Sequence, residues 1–338
     1  MKPTPSSWLF LLAAAPVLAA GAPPDPYATI RGMTVSDPGI GEIWGSDAMV
    51  EAMKELKAMG VNWITIHPYG GIQRDGEVGS SRIDDLYRDP TWLTRPIEEA
   101  HRLGLKIFIK PHLAYWGSGW AWRGEITFDT EEKWGRFFTS YKEWITLVAE
   151  LSADADAFCV GTELDQTAYH MEEWREIIAA VRAETDAPLT YSAGWDTYEK
   201  IRFWDDLDAI GIQAYFPLVS HTGVPDEAEL DRAWTAHMET LAAYSELWGR
   251  DVIFGELGYN RSKDAARTPW AYETGGPDAE LIQQRCLAAA LRALDRTEHV
   301  SGAFLWKWFP GKPRSGNFLK STPAMRAVIA GHWGEGRG

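Results

Sequence analysis

The sequence predicts an α/β protein of the (β/α)8 TIM-barrel class, folded as a single domain. Three observations predict it. Short apolar segments, β-branched or aromatic, alternate with segments of 3.6-residue periodicity, and the alternation repeats eight times. No Gly-rich phosphate turn follows an early strand: Gly70-Gly71 leads into a polar loop rather than a helix, which argues against an open doubly wound sheet. No repeat, low-complexity tract or linker interrupts the chain after residue 27, so its 338 residues read as one large barrel rather than two average domains.

Taken in order, strands are predicted at Ile30–Val35, Val61–His67, Lys106–His112, Ala157–Glu163, Leu189–Ala193, Ala209–Tyr215, Val252–Glu256 and Gly302–Trp306. The helices between and after them fall near Ser46–Met59, Trp92–Leu103, Thr130–Leu151, Met171–Glu184, Tyr198–Trp204, Asp226–Trp248, Asp278–Arg296 and Thr322–Ala330. Such units make a parallel sheet with crossover helices, and eight of them close into a ring.

The N-terminus has a different character. Lys2 precedes an apolar run from Trp8 to Ala20, and the small residues Ala20-Gly21-Ala22 follow, which is the pattern of a secretory signal peptide. The run is short for a bilayer span and contains Pro16. The expectation is a signal peptide at 1–22, a barrel at 23–338, and a secreted or periplasmic mature protein with no membrane association.

Lys and Arg number 33 against 48 Asp and Glu, a net charge of −15. So acidic a surface repels nucleic acid and anionic lipid, whereas a neutral substrate is indifferent to it. Cys159 falls in an apolar strand and Cys286 in a helix, so two free buried thiols are expected rather than a disulfide. No Cys/His cluster has zinc spacing, and no metal or cofactor is expected. Eighteen tryptophans are the compositional outlier, and Trp is often found at contact surfaces.

In a barrel of this kind function sits on the loops at the C-terminal ends of the strands. Two strands end in a glutamate: Ala157-Phe-Cys-Val-Gly-Thr-Glu163, the fourth, and Val252-Ile-Phe-Gly-Glu256, the seventh. The two positions differ by 93, three units of about 31 residues, which gives them equivalent heights on one rim. Strand alternation predicts that Gly161 and Cys159 face inward with Glu163, and Phe254 and Val252 with Glu256, the small Gly161 leaving room beside the carboxylate. Two carboxylates facing across a cleft suit glycoside hydrolysis, one as a proton donor with a raised pKa and one kept ionised.

The texts GTEL at 161–164 and GELGY at 255–259 resemble clan A of the glycoside hydrolases, and most of all glycoside hydrolase family 113, known for β-1,4-mannanases. The resemblance spans about residues 28–332. It implies a retaining enzyme with Glu163 as general acid/base and Glu256 as nucleophile, needing no cofactor and acting on a neutral polysaccharide or oligosaccharide. Many clan members carry Asn immediately before the acid/base, where it contacts the sugar 2-hydroxyl. Here the residue is Thr162, a departure from that pattern at the 2-hydroxyl contact.

The same resemblance implies supporting residues. Tyr215, closing strand six, would donate to Glu256 and favour its charged form. Gln213 shares its parity but lies deeper. Trp306, closing strand eight, would lie beneath the sugar being cleaved; beside it in the sequence, Lys307 and Trp308 are candidates for neighbouring subsites. His67, Lys110 and His112, at the ends of strands two and three, are candidates for bonds to sugar hydroxyls. Trp195 is a candidate stacking residue, while the adjacent Asp196 reads as a helix cap. The loop YWGSGWAWRG at 115–124 follows strand three and so stands on the same rim as the glutamates. Flat aromatics cover the C–H faces of sugars, so Trp116, Trp120 and Trp122 are expected to contact substrate, whereas Glu125 is not expected to be catalytic.

Other functions fit less well. A metal-dependent barrel hydrolase using His67 and His112 would want His-x-His on strand one, which is missing. A non-catalytic carbohydrate-binding barrel would be expected to have lost one glutamate. Within the clan, β-glucan and xylan are the alternative substrates.

Overall fold

The computed structural model describes residues 29–79, 85–311 and 316–334. The expected signal peptide lies outside them. The strands are β1 (Ile30–Val35), β2 (Trp63–Ile66), β3 (Tyr69–Gly71), β4 (Lys106–Ile109), β5 (His112–Ala114), β6 (Ala157–Thr162), β7 (Leu189–Gly194), β8 (Ala209–Gln213), β9 (Val252–Leu257) and β10 (Val300–Trp308). Eight of them close into a parallel barrel in the order β1-β2-β4-β6-β7-β8-β9-β10. The surrounding helices are α1 (Asp47–Ala58), α2 (Thr91–Arg102), α3 (Glu131–Leu151), α4 (Met171–Glu184), α5 (Glu227–Trp248), α6 (Ala279–Leu294) and α7 (Pro323–Trp333). Among the described residues no helix is long and apolar enough to cross a membrane.

Strands covered on both faces read as short, largely apolar runs. Inside the ring Ile30, Trp63, Phe108, Ala157, Cys159, Ala209, Ile253 and Phe304 form a plug. Gly32 makes room for it, because a Cβ there would come within 2.3 Å of Phe304. Outside the ring, the layer between strands and helices takes up much of the tryptophan. Trp44, Trp174, Trp204 and Trp234 are fully buried. Three of their indole N–H groups find acceptors: Trp44 on the Val35 carbonyl at 2.9 Å, Trp174 on that of Thr167 at 3.1 Å and Trp204 on the Tyr244 hydroxyl at 3.0 Å. A buried indole N–H usually finds such an acceptor. The tryptophan excess is therefore largely a property of the core.

Three expectations change. The second and third barrel strands stop at Ile66 and Ile109 instead of His67 and His112. Pro68 and Pro111 lack the N–H needed to continue the ladder, and the chain resumes above the rim as the parallel pair β3–β5. The helix expected at Tyr198–Trp204 does not form. Two single 3-10 turns, Tyr198–Lys200 and Trp204–Asp206, take its place. Tyr198, Phe203 and Trp204 are buried there and fill the gap in the helical layer. The last strand is longer than expected, reaching Trp308. Cys159 and Cys286 are both free and buried.

Candidate active site

Both glutamates stand at the C-terminal rim, but strand alternation does not put them there. In β6 the pairing with β7 runs Cys159↔Thr190 and then Thr162↔Ser192, one residue more on β6 than on β7. In β9 the pairing with β8 runs Ile212↔Phe254 and then Gln213↔Glu256, again one extra residue. Each is a bulge, and a bulge re-aims the side chains that follow it. Two expectations are thereby overturned. Gly161 does not make room for the carboxylate but faces the helical layer, where a Cβ would meet Trp174 at 2.6 Å and Tyr191 at 2.8 Å. Phe254 faces outward against Trp234 and, like Val252, belongs to the outer core, whereas the inward residue of β9 is Ile253.

Glu256 is 4% exposed and held from two sides. The Tyr215 hydroxyl donates to Oε2 at 2.7 Å, and the Lys110 ammonium donates to Oε1 at 2.5 Å and to the Gly255 carbonyl at 3.1 Å. His112 Nε2 stands 3.8 Å from the same Oε1. Bonds from a cation and a phenol to a carboxylate are among the stronger hydrogen bonds, and they restrict it to one orientation.

Glu163 is the first residue beyond β6. Its backbone is left-handed, with φ at +50°, a conformation that costs a non-glycine residue about 1–3 kcal/mol. Neighbours hold it there: its N–H donates to the Ser192 carbonyl at 2.8 Å, and the next N–H, of Leu164, to the Tyr191 hydroxyl at 2.8 Å. The Arg123 guanidinium donates to Glu163 Oε2 at 2.9 Å. Burial pushes the Glu163 carboxyl up to about 7; Arg123 pulls it down, while Glu256 and Asp165 push it up. Burial likewise raises Asp165 to about 6.

The two carboxylates share a cleft of about 470 Å³, with Trp306, Tyr215 and Phe318 along one side, Tyr115, Trp122 and Arg123 on another, and Trp195, Trp270 and Tyr272 also on its lining. Of the predicted residues it therefore gathers Glu163, Glu256, Tyr215, Trp306, Trp195 and Trp122. Asp196 lines it as well.

The rest are placed elsewhere. Lys110 is fully buried and turned to Glu256, so it does not present its ammonium to a sugar. His67 and His112, each 1% exposed, stack on one another 4.9 Å apart beside Trp306, and His67 Nε2 is paired with the Ser36 hydroxyl at 2.9 Å. Burial pushes both imidazoles well below their usual value, with help from the neighbouring cations, so they stand as neutral groups. Trp308 faces away from the cleft and carries the Arg326 guanidinium over its ring at 4.5 Å. Lys307 lies over Trp306 at 4.8 Å and over Phe309 at 5.1 Å. Gln213 is buried inside the barrel, and Thr162 donates to the Pro111 carbonyl at 3.1 Å.

The three loop tryptophans part company. Trp116 leans on Tyr69 at 5.0 Å, and Trp120 packs edge-on to Phe128 at 5.7 Å; only Trp122 lines the cleft. The loop is pinned by Arg74, which donates to the Ser118 carbonyl at 2.6 Å beneath the left-handed Gly119, and by the Ala121 N–H, which donates to Glu125 at 2.9 Å.

Sequence reasoning missed Arg123, Trp270, Tyr272, Tyr115, Phe318 and Asp165. Tyr115 and Arg123 lie inside the same Trp-rich loop, and a buried acid's need for a counter-ion is the signal that points to Arg123. Trp270 and Tyr272 follow the seventh strand on the same rim, and the aromatic criterion used for the third-strand loop would have found them.

An aromatic cleft with two carboxylates on the C-terminal rim of a closed barrel defines a glycoside hydrolase. The model of Glycoside Hydrolase Family 113 matches residues 34–315, and the chain belongs to that family. Among solved structures it is similar to the family-113 β-mannanase AaManA of Alicyclobacillus acidocaldarius in complex with ManMIm, at 28% identity over 90% of this chain and 97% of that one, with a TM-score of 0.77. A family-113 β-1,4-mannanase complex superposes with a TM-score of 0.78 at 19% identity, covering 90% of this chain and 99% of the other. The β-glucuronidase of Ruminococcus gnavus shares the fold alone, at 16% identity and a TM-score of 0.59, with 90% of this chain covering 50% of that one. No curated protein matches significantly.

Proposed function

We propose that the protein is an exported, retaining β-1,4-mannanase in which Glu163 is the general acid/base and Glu256 the nucleophile. The observation that carries the assignment is the contrast between the two carboxylates. Glu256 is fixed between a cation and a phenol, both donating to it, whereas Glu163 is pushed up to about 7 and so retains its proton near neutrality. In the first step Glu256 attacks the anomeric carbon while Glu163 gives its proton to the departing oxygen. In the second, Glu163 takes a proton from water as that water displaces Glu256.

Family membership and the 28% identity to a β-mannanase over nearly the whole chain support mannan as the substrate. Trp306 is the floor on which the reacting sugar rests, and Trp122, Trp195, Trp270 and Tyr272 are the surfaces for its neighbours. Thr162, bonded to the Pro111 carbonyl, leaves the 2-hydroxyl to other groups. Export rests on the N-terminal segment and is tested by cell fractionation.

A slowly turned-over 2-fluoro-β-mannoside with an activated leaving group tests the mechanism. A retaining enzyme accumulates one covalent sugar per chain, on the peptide carrying Glu256. Label on a different peptide, or inverted product without label, refutes the assignment. Release of gluco- or xylo-oligosaccharides in preference to manno-oligosaccharides refutes the substrate.

A further inference from the structure

The Trp-rich loop after β5 does more than line the cleft. Tyr115 and Arg123, near its two ends, meet again in space, the guanidinium 5.8 Å over the phenol ring, and Arg123 also donates to Glu163 Oε2 at 2.9 Å. The Arg123 and Glu163 side chains are 14% and 18% exposed, so the pair is largely withdrawn from solvent. We propose that Arg123 is a positioning residue: a loop-borne counter-ion that holds the Glu163 carboxyl against the cleft and stabilises the carboxylate left behind when the proton departs. The proposal rests on the acid/base assignment of Glu163 made above.

The chemistry explains the need. As the C–O bond breaks, its electron pair goes to the leaving oxygen together with the Glu163 proton, and a buried carboxylate remains. An unpaired buried charge is costly, and a guanidinium already in contact offsets that cost without rearrangement. In the second step the same carboxylate accepts a proton from water, and Arg123 returns to the weaker contact with a neutral acid. The other charged groups facing Glu163 cannot take this role. Glu256 and Asp165 repel its charge, and Lys110 is committed to Glu256. Arg123 in turn feels Glu163, Glu256, Tyr69 and Tyr115. The loop that carries Trp122 into the cleft thus also carries the counter-ion, so sugar binding and acid placement depend on one segment.

The test is the pH profile of kcat/KM on manno-oligosaccharides for Arg123→Met, Arg123→Gln and Arg123→Lys. Removing a cation at this distance raises the pKa of its acid partner by about 1–3 units. The alkaline limb of the Met and Gln variants is therefore expected to move upward by at least about one unit. Their kcat should fall with little change in KM, and the Lys variant, which keeps the charge, should return the limb toward that of the unaltered enzyme. A limb that stays put in both neutral variants overturns the proposal, as does a Lys variant indistinguishable from Met. Should Met or Gln fail to fold, a Lys variant with both limb and kcat unchanged supports it, and one that behaves as a complete loss overturns it. Glu163→Gln separates this from the underlying assignment: it should abolish the alkaline limb altogether, and an unchanged profile there refutes the acid/base reading itself.

Discussion

Replacing Lys110 with Met tests how the candidate nucleophile is held. The ammonium is fully buried, the carboxylate side chain is 6% exposed, and the two are 2.5 Å apart. Breaking such a pair from one side leaves an uncompensated charge in the interior, which costs about 3–5 kcal/mol. For a domain somewhat larger than those for which about 2–4 °C per kcal/mol holds, the lower figure applies, so melting should fall by roughly 6–10 °C. The Tyr215 hydroxyl remains, yet it supplies no charge, and the carboxylate loses its fixed orientation. Turnover should fall at least about a hundredfold, since displacement of a reacting group by about 1 Å costs that much. Melting curves for Lys110→Met, Glu256→Gln and the double variant form a cycle whose coupling should exceed about 1 kcal/mol, because the second substitution removes the charge stranded by the first. A Lys110→Met protein that melts with the unaltered one, or a cycle that is additive, refutes the reasoning.

Further expectations concern the acid and the floor of the cleft. As the proposed general acid, Glu163 would carry its proton into the first step, and burial pushes it up to about 7, so kcat/KM on unactivated substrates should decline above about pH 7 as the carboxyl ionises. A profile flat to pH 9 contradicts that role. The two strand-eight tryptophans should behave oppositely. Trp308→Ala, away from the cleft, should lower stability by about 3–5 kcal/mol and leave KM unchanged. Trp306→Ala should impair substrate binding and turnover, measured as kcat and KM on manno-oligosaccharides.

Much of the barrel was legible because its strands are buried on both faces, so each appears as a short uninterrupted apolar run with no need of a partner to recognise it. The exceptions are local and have local causes. Pro68 and Pro111 end two strands early, and between Gly194 and Ala209 two 3-10 turns bury Tyr198, Phe203 and Trp204 in place of the helix those aromatics suggested. The identity of the loop tryptophans was visible but their fates were not. Trp116, Trp120 and Trp122 share the same composition around them, and what separates them is whether Tyr69, Phe128 or open cleft lies opposite, which is decided by other parts of the chain.

The carboxylates show where pattern reading stops. Their height on the rim follows from repeat spacing, because each βα unit advances the chain by a similar length. Their direction does not, because alternation holds only while a strand stays regular, and both strands insert a residue just before the rim. The partners that give the two acids different character lie far off in sequence, Lys110 at 146 residues from Glu256 and Arg123 at 40 from Glu163. Both come from the stretch between strand three and the following helix. Lys110 stands where the strand breaks at Pro111, and Arg123 where the loop turns back. One barrel unit thus supplies a cation to each carboxylate, and the strand-six phenol goes to only one of them. The difference between the proposed nucleophile and the proposed acid therefore resides less in the two glutamates than in what stands against each: a buried ammonium and a phenol on one side, and a single guanidinium with two repelling carboxylates on the other.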